Sequence, residues 1–183
     1  MLLTPGRCAN NQIISEAIPA KPMEDSVLKV RALELWNKGV ERHMHGDFDG
    51  AILLYTKSID VCPTAEAYTF RGWAYNYFGR VDDAIGECKK AIEVDPDFGN
   101  PYNDIGAYLI AKGDFDAAVP WLEKAKHAPR YEPRHFPYMN LGRLYATKGM
   151  LQQAIREFEH ALRLQPGEPT CQASLARLRA ALN

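Results

Sequence analysis

Between His45 and Tyr55, Asp47 and Asp49 stand two residues apart with Gly50 beside them, which is the start of a calcium-loop spacing. Such a loop also needs a glutamate near its end, and Leu53 to Ser58 offer no carboxylate. Histidine is no better placed for a metal. His43 and His45 would point about 200° apart on a helix, and His127, His135 and His160 have no chelating spacing. Cys8, Cys62, Cys88 and Cys171 form no C-x-x-C pair, which argues against zinc and against a secreted disulfide framework. The chain carries no phosphate-binding G-x-x-x-x-G-K-[ST], no G-x-G-x-x-G after a strand and no G-x-S-x-G. The expectation is a protein without metal, cofactor or catalytic residue, not an enzyme.

What positions Asp47 is a repeat. "GDFDGAI" at Gly46 returns as "GDFDAAV" at Gly113, and "GRVDDAI" at Gly79 and "GMLQQAI" at Gly149 complete a series spaced 33, 34 and 36 residues apart. Arg80, Met150 and Gln153 replace the oxygen ligands in two of the copies, so the shared element is a turn and not a ligand set. The fourth copy carries Tyr138, Leu141, Gly142, Tyr145, Ala154, Phe158, Ala161 and Pro166, and the second carries Tyr68, Gly72, Tyr75, Ala84, Cys88, Ala91 and Pro96. The third has Tyr102, Ile105, Gly106, Leu109, Ala118, Leu122 and Ala125, but Arg130 in place of the closing proline. The first is the most divergent, with Leu35, Gly39, Ala51, Tyr55, Ser58 and Pro63. Apolar residues at i, i+3, i+4 and i+7 predict amphipathic helices, and a single pair cannot bury its own face, so pairs must stack.

This pattern resembles the tetratricopeptide repeat. The resemblance implies an all-α fold, a right-handed superhelical solenoid of helix-turn-helix pairs. Residues 25–166 are expected to hold four repeats, at about 32–64, 65–98, 99–134 and 135–167, with Asp25 or Ser26 capping the first helix. Residues 168–183 are expected to form a C-terminal capping helix with Cys171, Leu175, Leu178 and Leu182 on its apolar stripe. Residues 1–24 contain Pro5, Gly6, Pro19 and Pro22, show no helical period and are expected to be disordered.

The formal net charge of −1 does not provide the pull that nucleic acid or an anionic membrane requires. No apolar run approaches the length of about 20 residues needed to span a bilayer, and the start has no signal-peptide pattern. These readings predict a cytoplasmic protein with no nucleic-acid partner and no membrane insertion. Charge is unevenly spread, since residues 81–123 carry net −7 and residues 124–183 carry net +6.

Helical phase predicts which residues line the concave side of the solenoid. Trp36, His43, Trp73, Asn76, Tyr77, Asn103, Met139 and Arg143 are the groove candidates, aromatic anchors beside polar and charged ends, a composition typical of binding hot spots. The insertion "APRYEPRHFP" between the third and fourth copies adds Arg130, Tyr131, Arg134 and Phe136 as candidate loop contacts. Repeats of this type that grip the C-terminal carboxylate of Hsp70 or Hsp90 use a clamp of Lys, Asn, Asn, Lys and Arg. The matching positions here hold Trp36, Val40, Phe70, Asn100 and Asp104, so the resemblance argues against an Hsp-tail partner. The expected function is a non-enzymatic adaptor or scaffold that binds a peptide segment or helix of another protein in its groove. The alternatives are a self-assembling scaffold joined through the −7 and +6 segments, or a small secretion-type chaperone.

Overall fold

A computed structural model describes residues 22–182. Among these residues the chain is all helix: α1 (Pro22–Met44), α2 (Phe48–Val61), α3 (Ala65–Tyr77), α4 (Val81–Val94), α5 (Asn100–Ala111), α6 (Phe115–His127), α7 (His135–Thr147), α8 (Leu151–Leu164) and α9 (Pro169–Ala180). Helix α1 begins at Pro22, ahead of the expected caps at Asp25 and Ser26. A proline at a helix start gives up an N–H that would have no partner there in any case. The expectation of disorder falls, for residues 1–21, outside the described residues.

Each pair turns at its glycine. Gly46, Gly79, Gly113 and Gly149 have φ of 79°, 73°, 81° and 72°, a left-handed backbone that a Cβ disfavours. Asp47 and Asp114 then start the second helices by accepting hydrogen bonds from the N–H of Gly50 (2.9 Å) and Ala117 (3.4 Å). The other Asp47 oxygen pairs with Arg42 at 3.0 Å. Its carboxylate is therefore a helix cap tied to the preceding helix, which accounts for the calcium-like spacing.

The helices form two compact units, α1 to α4 and α5 to α9. In the first, α1 pairs with α2 and α3 with α4, and Trp36, Ala51, Tyr55, Ile59 and Ala67 make a core that joins α1, α2 and α3. Tyr55 is fully buried, and the Ser58 hydroxyl donates to the carbonyl of Ala32 at 2.8 Å, tying α2 to α1. In the second unit, α5 pairs with α6 and α7 with α8, and α9 packs on α8. Met139, Ala154, Phe158, Ala161, Cys171 and Leu175 form the core there, with Leu178 against it. A Cβ at Gly142 would meet the Phe158 ring at 2.9 Å, so the small residue lets α7 and α8 approach. Removing that ring would cost about 3–5 kcal/mol. Leu182 lies beyond the end of α9 and is exposed, so the apolar stripe of the last helix ends at Leu178.

Candidate protein-binding face

In the first unit the first helices carry a belt of aromatic rings. Trp36 meets Phe70 edge-on at 5.2 Å, Phe70 meets Trp73 at 4.4 Å, and His43 lies 6.5 Å from Trp73 and 4.9 Å from Phe48. Phe48 then stacks on Tyr77 at 3.7 Å, and Tyr77 meets Phe78 edge-on at 5.6 Å. The belt runs from inside to outside. Trp36 is only 8% exposed and its Nε1–H finds no acceptor among the described residues, whereas Tyr77 and Phe78 are 65% and 46% exposed. Edge-to-face and offset stacking gives each such pair about 0.5–1.5 kcal/mol beyond area burial, so the exposed end is held in place by the buried one. Burial also holds the His43 imidazole below its ordinary pKa of 6.5, so the ring in the belt is neutral at pH 7.

Glu66 and Thr69 share the helical stripe of Trp73 and Tyr77 on α3, and that stripe is open only at its C-terminal end. Glu66 and Thr69 are buried, and Thr69 donates to the carbonyl of Ala65 at 2.8 Å, while Trp73 is half-buried and Asn76 and Tyr77 are exposed. Below the belt lies a buried ion pair. Arg71 Nε donates to Glu87 at 2.7 Å, its Nη1 donates to the Thr56 hydroxyl at 2.9 Å, and Lys90 reaches the other Glu87 oxygen at 2.8 Å. One arginine thereby binds α3 to both α2 and α4.

The second unit presents a different first-helix face. Asn140 Nδ2 donates to Asn103 Oδ1 at 2.8 Å, with both side chains buried, and Arg143 in turn donates to Asn140 Oδ1. The Asn103–Asn140–Arg143 relay holds an exposed guanidinium on a fixed base, with further N–H groups available to an acceptor. Met139 is buried in the core below it.

The inserted loop is largely occupied with the fold. Its backbone pairs with the entry to α5, Gly99 N–H donating to the Arg130 carbonyl and Arg130 N–H to the Asp97 carbonyl, both at 3.0 Å. The Arg130 guanidinium lies 4.3 Å from the Phe98 ring. Tyr131 is 3% exposed and packs with Ala125 and Ala128, and burial first, then the nearby Asp104 charge, pushes its hydroxyl well above the ordinary range. Arg134 is tied back to the carbonyl of Pro129 at 3.0 Å. Phe136, its ring tilted against His135 at 4.3 Å, is an exposed aromatic of the insertion.

Thus the structure brings Trp36, His43, Trp73 and Tyr77 into one belt, joins Asn103 to Arg143 through Asn140, and turns Tyr131 inward. Sequence phase missed Phe48 and Phe78 in the belt and Asn140 in the relay. Phe48 opens α2 and Phe78 closes α3, so neither falls on the first-helix stripe, although aromatics flanking the turn glycines were a readable signal.

Two family models, both described as tetratricopeptide repeat, match the chain, one over residues 135–168 and the other over 65–98 and 100–126. Among curated proteins, the chain is 30% identical over 104 residues to the small glutamine-rich tetratricopeptide repeat-containing protein 2 of Mycosarcoma maydis, covering 56% of this chain and 29% of that one. It is 32% identical over 81 residues to the heat shock protein STI1 of Saccharomyces cerevisiae, covering 43% and 14%. The chain thus spans under a third of the length of these relatives. Among solved structures, the pilF protein of Pseudomonas aeruginosa superimposes with a TM-score of 0.75 at 22% identity, over 85% of this chain and 69% of that one. That likeness is one of fold. No described helix is long and apolar enough to cross a membrane.

Proposed function

The chain belongs to the tetratricopeptide repeat family, and on that premise we propose that it is a non-enzymatic adaptor that binds a segment of a partner protein on its first-helix faces. The observation that carries this reading is the exposed end of the aromatic belt. Tyr77 and Phe78 are large, rigid and open to solvent, yet held by Phe48 from below. Such preorganised aromatics lose little conformational entropy when a partner covers them. In the second unit the Arg143 guanidinium supplies a hydrogen-bonding end on its asparagine base.

An Hsp70 or Hsp90 tail does not suit these faces. The positions that would form a carboxylate clamp hold Trp36, Val40, Phe70, Asn100 and Asp104, apolar, amide or acidic groups without a single cation. Self-assembly through the oppositely charged segments has less support than partner binding, because several of the basic side chains meet acids within the second unit. Lys126 pairs with Glu123 and Glu157, both at 2.9 Å, Lys148 pairs with Asp116 at 2.5 Å, and Arg179 pairs with Glu159 at 2.8 Å.

Affinity capture from native extract tests the proposal, with wild type beside Tyr77→Ala and Arg143→Ala variants shown by circular dichroism to be folded. A protein retained by wild type and lost by Tyr77→Ala supports the belt as the binding face. Identical captures by all three would rule it out, and recovery of the protein alone would favour self-assembly.

A further inference from the structure

Helix α1 is 23 residues long, against 13, 12 and 13 for α3, α5 and α7. Ser58, one turn from the end of α2, bonds Ala32, and a turn takes about 3.6 residues, so α1 runs on past its pair before about residue 29. Val27 and Leu28 lie there, 64% and 45% exposed, and Val30 is 57% exposed. The next first helix is covered on the corresponding side. In α3, Tyr68 packs against the core that holds Ala51, Tyr55 and Ile59 of α2, and Arg71 bonds Thr56 of α2. Subtracting the 33-residue spacing of Gly46 and Gly79 places Leu35 and Lys38 of α1 at those two positions, and both line an open face with Val27, Val30, Arg31 and Glu34. Val27, Val30, Arg31, Glu34 and Lys38 follow at i, i+3, i+4, i+7 and i+11, a stripe that runs lengthwise and suits packing alongside another helix.

We propose that this face pairs with the same face of a second copy, the two α1 helices lying antiparallel about a two-fold axis. The charges decide the orientation. A parallel two-fold pair sets each residue beside its own copy, Arg31 against Arg31, Glu34 against Glu34 and Lys38 against Lys38, and repels at each step. An antiparallel pair centred between Ala32 and Leu33 sets Arg31 opposite Glu34 of the second copy, and Glu34 opposite its Arg31. Val30 then meets Leu35, and Val27 meets the methylene stem of Lys38. Sliding the pair by one turn spoils the match, because in one direction Glu34 falls on Val27 and in the other Arg31 falls beside Lys38. Trp36 and His43 stand nine residues beyond Val27 and Glu34, about two and a half turns, so they lie on the opposite side of α1 and the pairing leaves them uncovered. On the proposed function the dimer is then bivalent. The face is small: seven side chains a copy line it, against about 20–30 residues a side in a standard stable interface, so the dimer forms at about tens to hundreds of micromolar.

Sedimentation velocity on the full chain between about 10 µM and 1 mM tests this, with hydrogen exchange followed over the same range. Wild type is compared with Arg31→Glu, with Glu34→Arg, with the double exchange Arg31→Glu/Glu34→Arg and with an equal mixture of the two single variants, all shown by circular dichroism to be folded. The expected result is that wild type dimerises and that the amides of residues 26–38 gain protection as concentration rises. Each single exchange weakens dimerisation by at least about tenfold, whereas the double exchange and the mixture regain it, since both restore opposite charges across the two-fold. A wild type that stays monomeric at about 1 mM overturns the proposal, as does a dimer that both single exchanges leave unchanged or that neither the double exchange nor the mixture recovers. Protection of residues 26–38 that does not vary with concentration also overturns it, in favour of a cover from within the chain.

Discussion

The two units build the same pairs of helices and finish their first-helix faces in opposite chemistry. The first presents stacked rings that grade from buried Trp36 to exposed Tyr77, and the second presents a relay of two buried amides that ends on Arg143. Beneath each face an ion pair joins helices, but the pairs differ in redundancy. Among the described residues one carboxylate, Glu87, serves both Arg71 and Lys90, whereas Lys126 has both Glu123 and Glu157. The repeat therefore constrains backbone and core while leaving the face free to specialise, and each unit anchors its face with a different distribution of charge.

The largest expected effect would break this contrast at its base. Glu87→Ala strands Arg71, whose side chain is nearly buried, and should cost about 3–5 kcal/mol in denaturant unfolding. Glu157→Ala should cost less, about 1–2 kcal/mol, because Lys126 keeps Glu123 and the half-exposed partner is screened by solvent. Equal losses for the two would show that redundancy does not distinguish the units. For the faces themselves, Tyr77→Ala should weaken partner binding by about 2 kcal/mol while lowering stability by about 0.5–1.5 kcal/mol, the worth of its stacking on Phe48, as read by calorimetric titration beside thermal unfolding.

The smallest effect is a pH dependence, and it too separates the units. The His43 pKa is lowered in the fold, so the unfolded chain binds a proton more readily. Stability from this group is complete above the ordinary value of 6.5 and is lost as pH falls from there towards the native value. In the second unit the Glu168 carboxylate is held below 4.5 by its hydrogen bonds to Thr170, so its contribution persists above 4.5 and fades only at lower pH. A melting series between pH 7 and pH 5 should therefore show a small decline that His43→Gln removes and that Glu168→Gln leaves in place.

Much of the fold was legible because its requirements are local. A positive φ at the turn calls for glycine, and close helix approach calls for Gly142 against Phe158, so both recur at a fixed spacing. The exposed part of each face was less legible, because depth is set by the neighbouring helix and not by phase. Glu66 and Thr69 share the stripe of Trp73 and Tyr77 in sequence, yet the packing of α3 covers the first two and leaves Tyr77 open. Tyr131 shows the same limit. A polar, proline-rich insertion reads as surface, and only the pairing of its backbone with residues 97–99 turns that ring inward.

The four turn glycines carry one more consequence. Gly46, Gly79, Gly113 and Gly149 share nearly the same backbone angle, and at none of them would an added Cβ find an atom within 4 Å. The same Gly→Ala exchange therefore applies an identical backbone strain of about 1–2 kcal/mol at four places, with no steric collision to confuse the reading. They form a matched set of probes. Differences in how unfolding responds to the four would measure how strongly each helix pair shares its stability with the rest of the chain, a map of cooperativity read from positions that touch nothing.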